Sequence, residues 1–330
     1  MKVAIVHNSV SEAEDDPSLR DVLDQAEFVR RTLAEAGYVC RCFALESDLR
    51  ESVRRLRTFK PDRIFNLVES VSGRASLHPC AAALWELLGI PHTGSSSLAL
   101  ALTTDKAMAK SLLTARGLPT PEWNLCRAGE TVLRDEVPAP WIVKPSREDA
   151  SIGIDEDSVV RTPEALAPRV QALQQRFPHQ AVLIEHFVEG REFNISLLGA
   201  PTGPLVLPPA EMLFCDYPPG KERVVGFRAK WDQGAFEYSH TRRRFDFPTA
   251  DADLLERLRE LATACWHVFR LRGYARVDFR VDAAGNPFIL EVNANPCLAP
   301  DGGFVAAVAQ AGISPQRMLE MILEDVVGTV

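Results

Sequence analysis

Tyr274-Ala-Arg-Val-Asp-Phe-Arg280 followed by Pro287-Phe-Ile-Leu-Glu-Val-Asn293 carries the strongest chemical signal in the chain. Both runs alternate apolar and polar residues, the pattern of strands whose successive side chains point to opposite faces. Val277 and Phe279 share one face of the first strand, and Arg276 and Asp278 the other. On the second strand Phe288, Leu290 and Val292 point one way, and Glu291 and Asn293 the opposite way. A four-residue turn at Ala283-Ala-Gly-Asn286 would close a hairpin with Asp278 opposite Glu291 and Arg276 opposite Asn293. Two carboxylates and a carboxamide then gather on one face. Oxygen-only donors of this kind suit Mg²⁺, which keeps water or phosphate oxygens as its remaining ligands, and Mn²⁺ accepts the same set. Taken alone, these residues would equally suit an ordinary hairpin with a solvated polar face.

Upstream, strands and helices alternate. Val3–Val6, Tyr38–Phe43 and Arg63–Leu67 read as strands. Ser18–Ala36, Leu49–Phe59 and Ala81–Leu88 read as helices, the first and last stopped by Gly37 and Gly89. This order predicts a small parallel sheet covered on both faces. After a break at Pro91-His-Thr-Gly94, a helix is expected at Thr104–Ala115 and a strand at Trp141–Lys144. A helix at Pro163–Arg176 and a strand at Ala181–Glu185 follow. The Pro- and Gly-rich stretch from Glu192 to Phe247 reads as short strands and turns of the kind that form lids. Helices at Asp253–Arg272 and Ser314–Val326 flank the final hairpin. Three domains are expected, over 1–102, 103–190 and 191–330.

Composition sets the outer bounds. A chain of 330 residues has room for two or three packed domains, and 46% apolar with 25% charged residues is the balance of a globular protein. A net charge of −8 argues against a nucleic-acid partner. Seven cysteines without metal-ligand spacing read as reduced thiols, with Cys40 and Cys42 on one strand face. The start is too brief for a signal peptide, and no window approaches the roughly 18–20 apolar residues of a membrane span. A cytoplasmic protein with no membrane partner is expected. Arg242-Arg-Arg244 reads as a solvated loop rather than a nucleic-acid patch.

Ile142-Val-Lys-Pro-Ser-Arg-Glu-Asp-Ala-Ser-Ile-Gly153 sets Lys144 at a strand end, before a loop of small and polar residues. Backbone N–H groups in such a loop can meet phosphate oxygens, with the lysine as a point charge. It is not a Walker A loop, since G-x-x-x-x-G-K-[ST] is absent. Thr104-Asp-Lys-Ala-Met-Ala-Lys110 offers Lys106 near a helix start, a place that a solvated lysine would also fill.

In order and spacing these runs resemble the ATP-grasp superfamily and, within it, D-alanine–D-alanine ligases. Leu87-Leu-Gly-Ile-Pro-His-Thr-Gly-Ser95, Gly117-Leu-Pro119, Glu185-His-Phe-Val-Glu-Gly-Arg-Glu-Phe193 and Ala309-Gln-Ala-Gly-Ile-Ser314 continue the match. The resemblance implies an α/β protein of ATP-grasp fold, with an N-terminal Rossmann-like parallel-sheet domain and two α+β subdomains sandwiching ATP, assembled as a homodimer. It implies that Lys106 and Lys144 hold ATP phosphates and that Ser151 sits in the loop closing over them. Backbone at Glu185 and Val188 would meet the adenine edge, and Glu192 the ribose. Asp278, Glu291 and Asn293 match the magnesium ligands, in accord with strand parity. Arg276 matches the arginine that stabilises the transferring phosphoryl group and the tetrahedral intermediate. Lys230, in Arg228-Ala-Lys-Trp231, matches a lysine on a mobile loop over the substrate.

The implied reaction joins a small-molecule carboxylate to an amine through an acyl phosphate, with release of ADP and phosphate and no side-chain nucleophile. The substrate regions depart from the family. His7-Asn-Ser-Val-Ser-Glu-Ala-Glu-Asp-Asp16 holds Glu12 and Glu14 but lacks the family's glycine-rich spacing. Val68–His78, which contains Glu69, replaces the H-G-x-x-G-E-D-G loop. Asn295-Pro-Cys-Leu-Ala-Pro-Asp-Gly-Gly303 replaces S-P-G-M-T and sets Asp301 and Gly302 where the family binds a second carboxylate. Asp301 would repel a carboxylate there and welcome a cation, or else serve as a solvated cap. The expectation is a ligase of substrates other than two D-alanines, with an amino acid, polyamine or biosynthetic intermediate as acceptor. A true D-alanine–D-alanine ligase and a non-catalytic ATP-binding module are the competing readings. No G-x-G-x-x-G follows Val3–Val6, which disfavours a dehydrogenase.

Overall fold

The structure, a computed structural model, describes residues 1–10, 17–130 and 137–326, so Glu12 and Glu14 lie outside the described residues. Its first sheet is parallel, with β1 (Lys2–Asn8) between β2 (Val39–Leu45) and β3 (Arg63–Leu67). α1 (Pro17–Glu35) and α2 (Leu49–Phe59) connect the strands, and α3 (His78–Leu88) follows. Alternation along β1 sorts the layers. Val3 and Ile5 pack with Val22, Val29 and Leu33 of α1, while Ala4 and Val6 pack with Leu56 and Trp85 on the other face. Both faces are covered, as a parallel sheet requires. Cys40 and Cys42 share the α1 side, as expected.

The helix expected at Thr104–Ala115 is α5 (Lys106–Ala115), and a helix not expected from sequence, α4 (Ser97–Thr104), runs up to it. Asp105 separates them. Its extended backbone (φ −87°, ψ 99°) ends α4, and its carboxylate accepts from the N–H groups of Ala107 and Met108. Lys106 therefore opens a capped helix.

The second sheet is antiparallel in the order β4 (Trp123–Cys126), β7 (Val182–His186), β5 (Trp141–Pro145), β6 (Val159–Val160). α6 (Pro163–Arg176) covers it through Leu166, Val170 and Leu173. The third sheet has six strands. β8 (Arg191–Leu198) carries the short β9 (Leu205–Val206) and pairs with β10 (Ala210–Phe214) on one side. The lid stretch contains α7 (Phe227–Trp231) and α8 (Phe236–His240), neither expected from sequence, and ends in β11 (Thr241–Arg244), an edge strand on β10. The arginine run is thus a strand and not a loop. α9 (Ala252–Val268) packs Leu258, Leu261 and Phe269, the last at its end, against Phe193, Val277 and Phe279. It stops short of Arg272 because the backbone turns left-handed at Arg270 (φ 53°).

β12 (Tyr274–Val281) lies between β8 and β13 (Pro287–Asn293). Arg276 stands opposite Asn293 and Asp278 opposite Glu291, as strand parity requires. The connection differs from expectation. Pairing begins at Val281–Pro287, so residues 282–286 make the turn, and the register shifts by one between Asp278 and Phe279. Leu290 is the additional residue. Ile289 and Val292 enter the core, and the bulge turns both Leu290 and Glu291 toward a cleft. Leu290 is therefore not the core residue that strict alternation predicts. α10 (Gly303–Gln310) and α11 (Pro315–Glu324) close the chain against the first sheet's α1 side.

The first and third sheets meet at Gly273, just before β12. Its N–H donates to Asp325 Oδ2 at 2.9 Å, and its carbonyl accepts from Gly199 N–H at 2.7 Å. With φ +67°, a β-carbon there would lie 2.9 Å from Gly94 N and 3.0 Å from Gly94 Cα. Gly273→Ala should cost about 2–4 kcal/mol in urea unfolding, through left-handed strain plus overpacking. Gly285→Ala, where φ is +86° and nothing lies within 4 Å, should cost about 1 kcal/mol. Equal losses would show that the approach to Gly94 is immaterial.

Candidate functional site

A cleft of about 710 Å³ opens between the second and third sheets and runs to the C-terminal end of the first. Lys106, Lys144, Ser151, Glu185, Val188, Glu192, Lys230, Arg276, Asp278, Glu291 and Asn293 all line it, as do Glu69, Asp301 and Gly302. One cleft thus holds every sequence-predicted site residue except Glu12, which is outside the described residues.

On the second-sheet side the charges are buried in pairs. Glu185 Oε2 lies 2.7 Å from Lys110 Nζ and 3.4 Å from Lys144 Nζ, with the Glu185 and Lys110 side chains each 1% exposed. Lys110 also donates to Thr120 Oγ1 at 2.8 Å, and that hydroxyl donates to the Ile289 carbonyl at 2.8 Å. Burial pushes Lys110 down to about 8 against the pull of Glu185. Burial works against the charge of Glu185 too, but the two lysines outweigh it and hold the carboxyl below its usual range.

Lys106 bridges the two walls. Its Nζ donates to the Glu148 carbonyl and to Asp149 Oδ1 at 3.3 Å, and lies 3.7 Å from Glu291 Oε1. Asp149 and Glu291 share a hydrogen bond. Burial pushes Asp149 up to about 7 despite Lys106. Glu291 is equally buried, but Lys106 and the Asp149 hydrogen bond hold it ionised.

The third-sheet floor carries the rest. Arg276 donates through Nε and Nη2 to Asp278 at 2.7 and 2.8 Å, and Asn194 Nδ2 donates to Asp278 Oδ1 at 2.8 Å. Asp278, Glu291 and Asn293 form an all-oxygen donor set on one strand face, with Glu291 crowded against a second carboxylate. A hard divalent cation fits such a set. Among the described residues no group of three or more His, Cys, Asp or Glu side chains stands where it could hold a metal ion. Arg280 donates through Nε and Nη2 to Glu192 Oε2 at 3.1 and 2.8 Å and through Nη1 to the Val188 carbonyl at 3.3 Å.

The loop after β5 and the lid meet over the cleft. Ser151, left-handed at φ 62°, donates its hydroxyl to the Val225 carbonyl at 2.7 Å. Trp231 Nε1 donates to the Ala150 carbonyl at 3.0 Å, and Phe227 N–H to the Ile154 carbonyl at 2.9 Å. Lys230 beside them is held below its usual pKa by burial and then by Arg276.

The far end is different. Gln25 Nε2 donates to both Asp21 Oδ2 (2.8 Å) and Glu69 Oε1 (3.0 Å), and Cys297 Sγ lies 3.0 Å from the same Asp21 oxygen. Burial raises Asp21 and pushes Glu69 up to about 7. Burial also raises the Cys297 thiol well above its ordinary value, which disfavours the thiolate. At the mouth, Arg243 Nη1 donates to the Asp301 carbonyl at 3.0 Å. Arg243 brings positive charge where the sequence offered only Asp301, which weakens the repulsion expected for a carboxylate there.

Lys110, Asp149, Arg280 and Asp21 are absent from the sequence-based site. Two carried a signal: Lys110 stands one helical turn after Lys106, and Arg280 shares the strand face of Arg276 and Asp278.

The family model described as D-ala D-ala ligase C-terminus matches residues 112–324. The D-alanine–D-alanine ligase of Glaesserella parasuis is 30% identical over 329 residues, 98% of this chain and 97% of that protein. The uncharacterized protein y4sG of Sinorhizobium fredii is 33% identical over 262 residues, 79% of this chain and 73% of that protein. The crystal structure of the Bacillus anthracis D-alanine–D-alanine ligase complexed with ATP shares the fold, with TM-score 0.76 at 22% identity over 98% of this chain and 96% of that one.

Lys110→Met would leave Glu185 buried with Lys144 as its nearest cation. Stability should fall by about 3–5 kcal/mol in urea unfolding, and adding Glu185→Gln should restore most of it. A loss in Lys110→Met under about 1 kcal/mol would mean the pair is not the structural charge its burial implies.

Proposed function

Because the chain belongs to the D-alanine–D-alanine ligase family of ATP-grasp enzymes, we propose that it joins a small-molecule carboxylate to an amine, using ATP, and that the substrates are not two D-alanines. The observation that carries this reading is the single cleft in which Lys106, Lys144, Lys230 and Arg276 surround Asp278, Glu291 and Asn293.

In this reading Lys106 and Lys144 hold phosphate oxygens as point charges. Backbone at Glu185 and Val188 meets the adenine edge, and Glu192, steadied by Arg280, meets the ribose. Asp278, Glu291 and Asn293 would hold Mg²⁺, or Mn²⁺ in its stead, and the ion would supply positive charge beside the phosphoryl oxygens. Ser151 and the lid segment it is latched to keep water from the cleft. A carboxylate oxygen of one substrate attacks the γ-phosphorus, and ADP leaves. The amine lone pair of the other then attacks the acyl carbon, phosphate departs with the bonding electrons, and the nitrogen loses a proton. Arg276 faces the phosphoryl group in the first step and the oxyanion in the second, and Lys230 adds a charge from the lid.

The division into 1–102, 103–190 and 191–330 is supported by the partition of the strands among three sheets. No helix among the described residues is long and apolar enough to cross a membrane. A cytoplasmic location is proposed from the cysteine pattern, and a homodimer on family resemblance alone. The substrate reading is supported by the departures from the family at Val68–His78 and Asn295–Gly303, segments that contribute to the cleft lining. The competing reading, D-alanine–D-alanine ligation, has the printed names of several relatives in its favour.

ADP release against pooled L- and D-amino acids and amines tests the reading. D-alanine alone should give little or none, and robust D-alanyl-D-alanine formation would restore the competing reading. Asp278→Asn and Glu291→Gln should each abolish turnover while leaving the fold intact; near-normal rates in millimolar Mg²⁺ would refute the metal assignment. Lys144→Ala should weaken ATP binding about ten- to a hundredfold, the worth of one charge-assisted contact. Calorimetry showing unchanged nucleotide affinity would remove Lys144 from the phosphate site.

A further inference from the structure

We propose that Arg280 is a positioning residue that ties the lid to the nucleotide end of the cleft, so that recognition of the ribose hydroxyls and closure of the lid depend on one guanidinium. This role deepens the ligase reading and rests on its placement of the ribose at Glu192.

Alternation along β12 puts Arg276, Asp278 and Arg280 on the cleft face. Register then sets Arg280 directly opposite Glu192 of β8. A cross-strand ion pair with its arginine side chain 3% exposed is weak evidence for stability by itself, since desolvation offsets the attraction. Its geometry points to a further task. Arg280 Nε and Nη2 both donate to Glu192 Oε2, at 3.1 and 2.8 Å, whereas the usual fork engages both carboxylate oxygens. Oε1 has no hydrogen-bond partner among the described residues, and Glu192 lines the cleft. The acid is thus held by one oxygen and offers the other, an acceptor suited to a hydroxyl.

The remaining donors reach two other elements. Nη1 donates to the Val188 carbonyl at 3.3 Å, and Nη2 also donates to the Arg223 carbonyl. Val188 lies in the connection from β7 to β8, which joins the second sheet to the third, and Arg223 lies in the lid between β10 and α7. The guanidinium carbon stands 4.7 Å from the ring centroid of Phe187, in the same connection, and 6.0 Å from that of Phe214, where β10 ends and the lid departs. Gly190 in that connection runs so near β12 that a β-carbon on it would lie 2.0 Å from the Val281 carbonyl oxygen. One buried cation therefore joins the floor, the connection and the lid. The lid's contacts through Ser151, Trp231 and Phe227 reach the loop after β5 instead, so Arg280 holds it from the opposite wall. A lysine at this position would carry its donors on a single nitrogen and could not span carbonyls on both sides of a planar fork.

The test is calorimetry of the full chain with Mg²⁺ and ADP, 2′-deoxy-ADP or 3′-deoxy-ADP. Trypsin cleavage within residues 215–240, which hold Lys221, Arg223, Arg228 and Lys230, is followed in parallel by mass spectrometry. The unaltered protein should bind ADP about tenfold or more tighter than at least one deoxy form. Saturating ADP should slow lid cleavage about fivefold or more, and that deoxy form should slow it less. In Arg280→Lys and Arg280→Met the preference for ADP and the protection of the lid should both shrink to within about twofold, while affinity for the deoxy form holds within about threefold. Arg280→Lys keeps a charge beside Glu192 and decides the matter if Arg280→Met fails to fold. Either the hydroxyl preference or the lid protection persisting at full size in Arg280→Lys would overturn the role of Arg280 and leave the ligase reading standing. ADP and both deoxy forms binding the unaltered protein equally would remove the ribose from Glu192 and overturn the role as well. No binding of ADP with Mg²⁺ at all would sink the nucleotide reading itself, and the role of Arg280 with it.

Discussion

Between Ile289 and Glu291 the last hairpin carries one residue more than its partner strand, and the cleft floor depends on that slip in register. Side chains on a strand alternate with period two, so a one-residue shift exchanges the faces of everything beyond it. Without the bulge, the pairing that sets Ile289 against Phe279 would turn Glu291 toward the core side occupied by Val277. An unpaired carboxylate there would cost several kcal/mol or take up a proton. With the bulge, Val292 fills that place and Glu291 stands opposite Asp278 beside the cleft. β8 repeats the arrangement on the far side of β12, with Asn194 opposite Asp278 and Phe193 opposite Phe279. The apolar face packs on α9, and the polar face is left for chemistry.

Charge in the cleft is distributed unevenly. Where the sheets approach, buried charges are answered within the chain: Lys110 and Lys144 by Glu185, Lys106 by Asp149 and Glu291, Arg280 by Glu192, Arg276 by Asp278. These pairs make a rigid, preorganised set of donors that need not reorganise as charge moves. At the other end Asp21 and Glu69 are bridged by Gln25 and have no lysine or arginine within ion-pair distance among the described residues. Charge is thus settled where the sheets approach and unsettled at the far end. This matches the sequence, whose departures from its relatives fall in Val68–His78 and Asn295–Gly303, the segments that line the unsettled end.

Much of this was legible because it is local. Strand parity placed Arg276, Asp278, Glu291 and Asn293 together from alternation alone, and the parallel first sheet followed from its helix–strand order. The bulge was not legible, since Leu290 suits a core position as well as a cleft, and only pairing with β12 decides between them. The start of α5 was legible near the N-cap Asp105, but α4 was not, because Ser-Leu-Ala-Leu-Ala-Leu-Thr-Thr offers no polar face to mark a helical period. α10 lies in Gly-Phe-Val-Ala-Ala-Val-Ala-Gln, which has no polar face to mark a period because it is buried on several sides. Lys110 and Arg280 were within quoted motifs, but their roles come from Glu185 and Glu192, distant in sequence and close only after folding. The arginine run looked like a solvated loop because an edge strand paired on one side needs no apolar alternation.

Activation of a carboxylate by phosphorylation is the central claim, and the fate of the carboxylate oxygens tests it most directly. A pool of amino acids with ¹⁸O-labelled carboxylates would be incubated with the protein, ATP, Mg²⁺ and amine acceptors, and the released phosphate weighed by mass spectrometry. The account predicts phosphate carrying one labelled oxygen for each amide bond formed, because the oxygen that attacks the γ-phosphorus leaves with it. Amide formation with unlabelled phosphate, or with the label in AMP and pyrophosphate released, would contradict it.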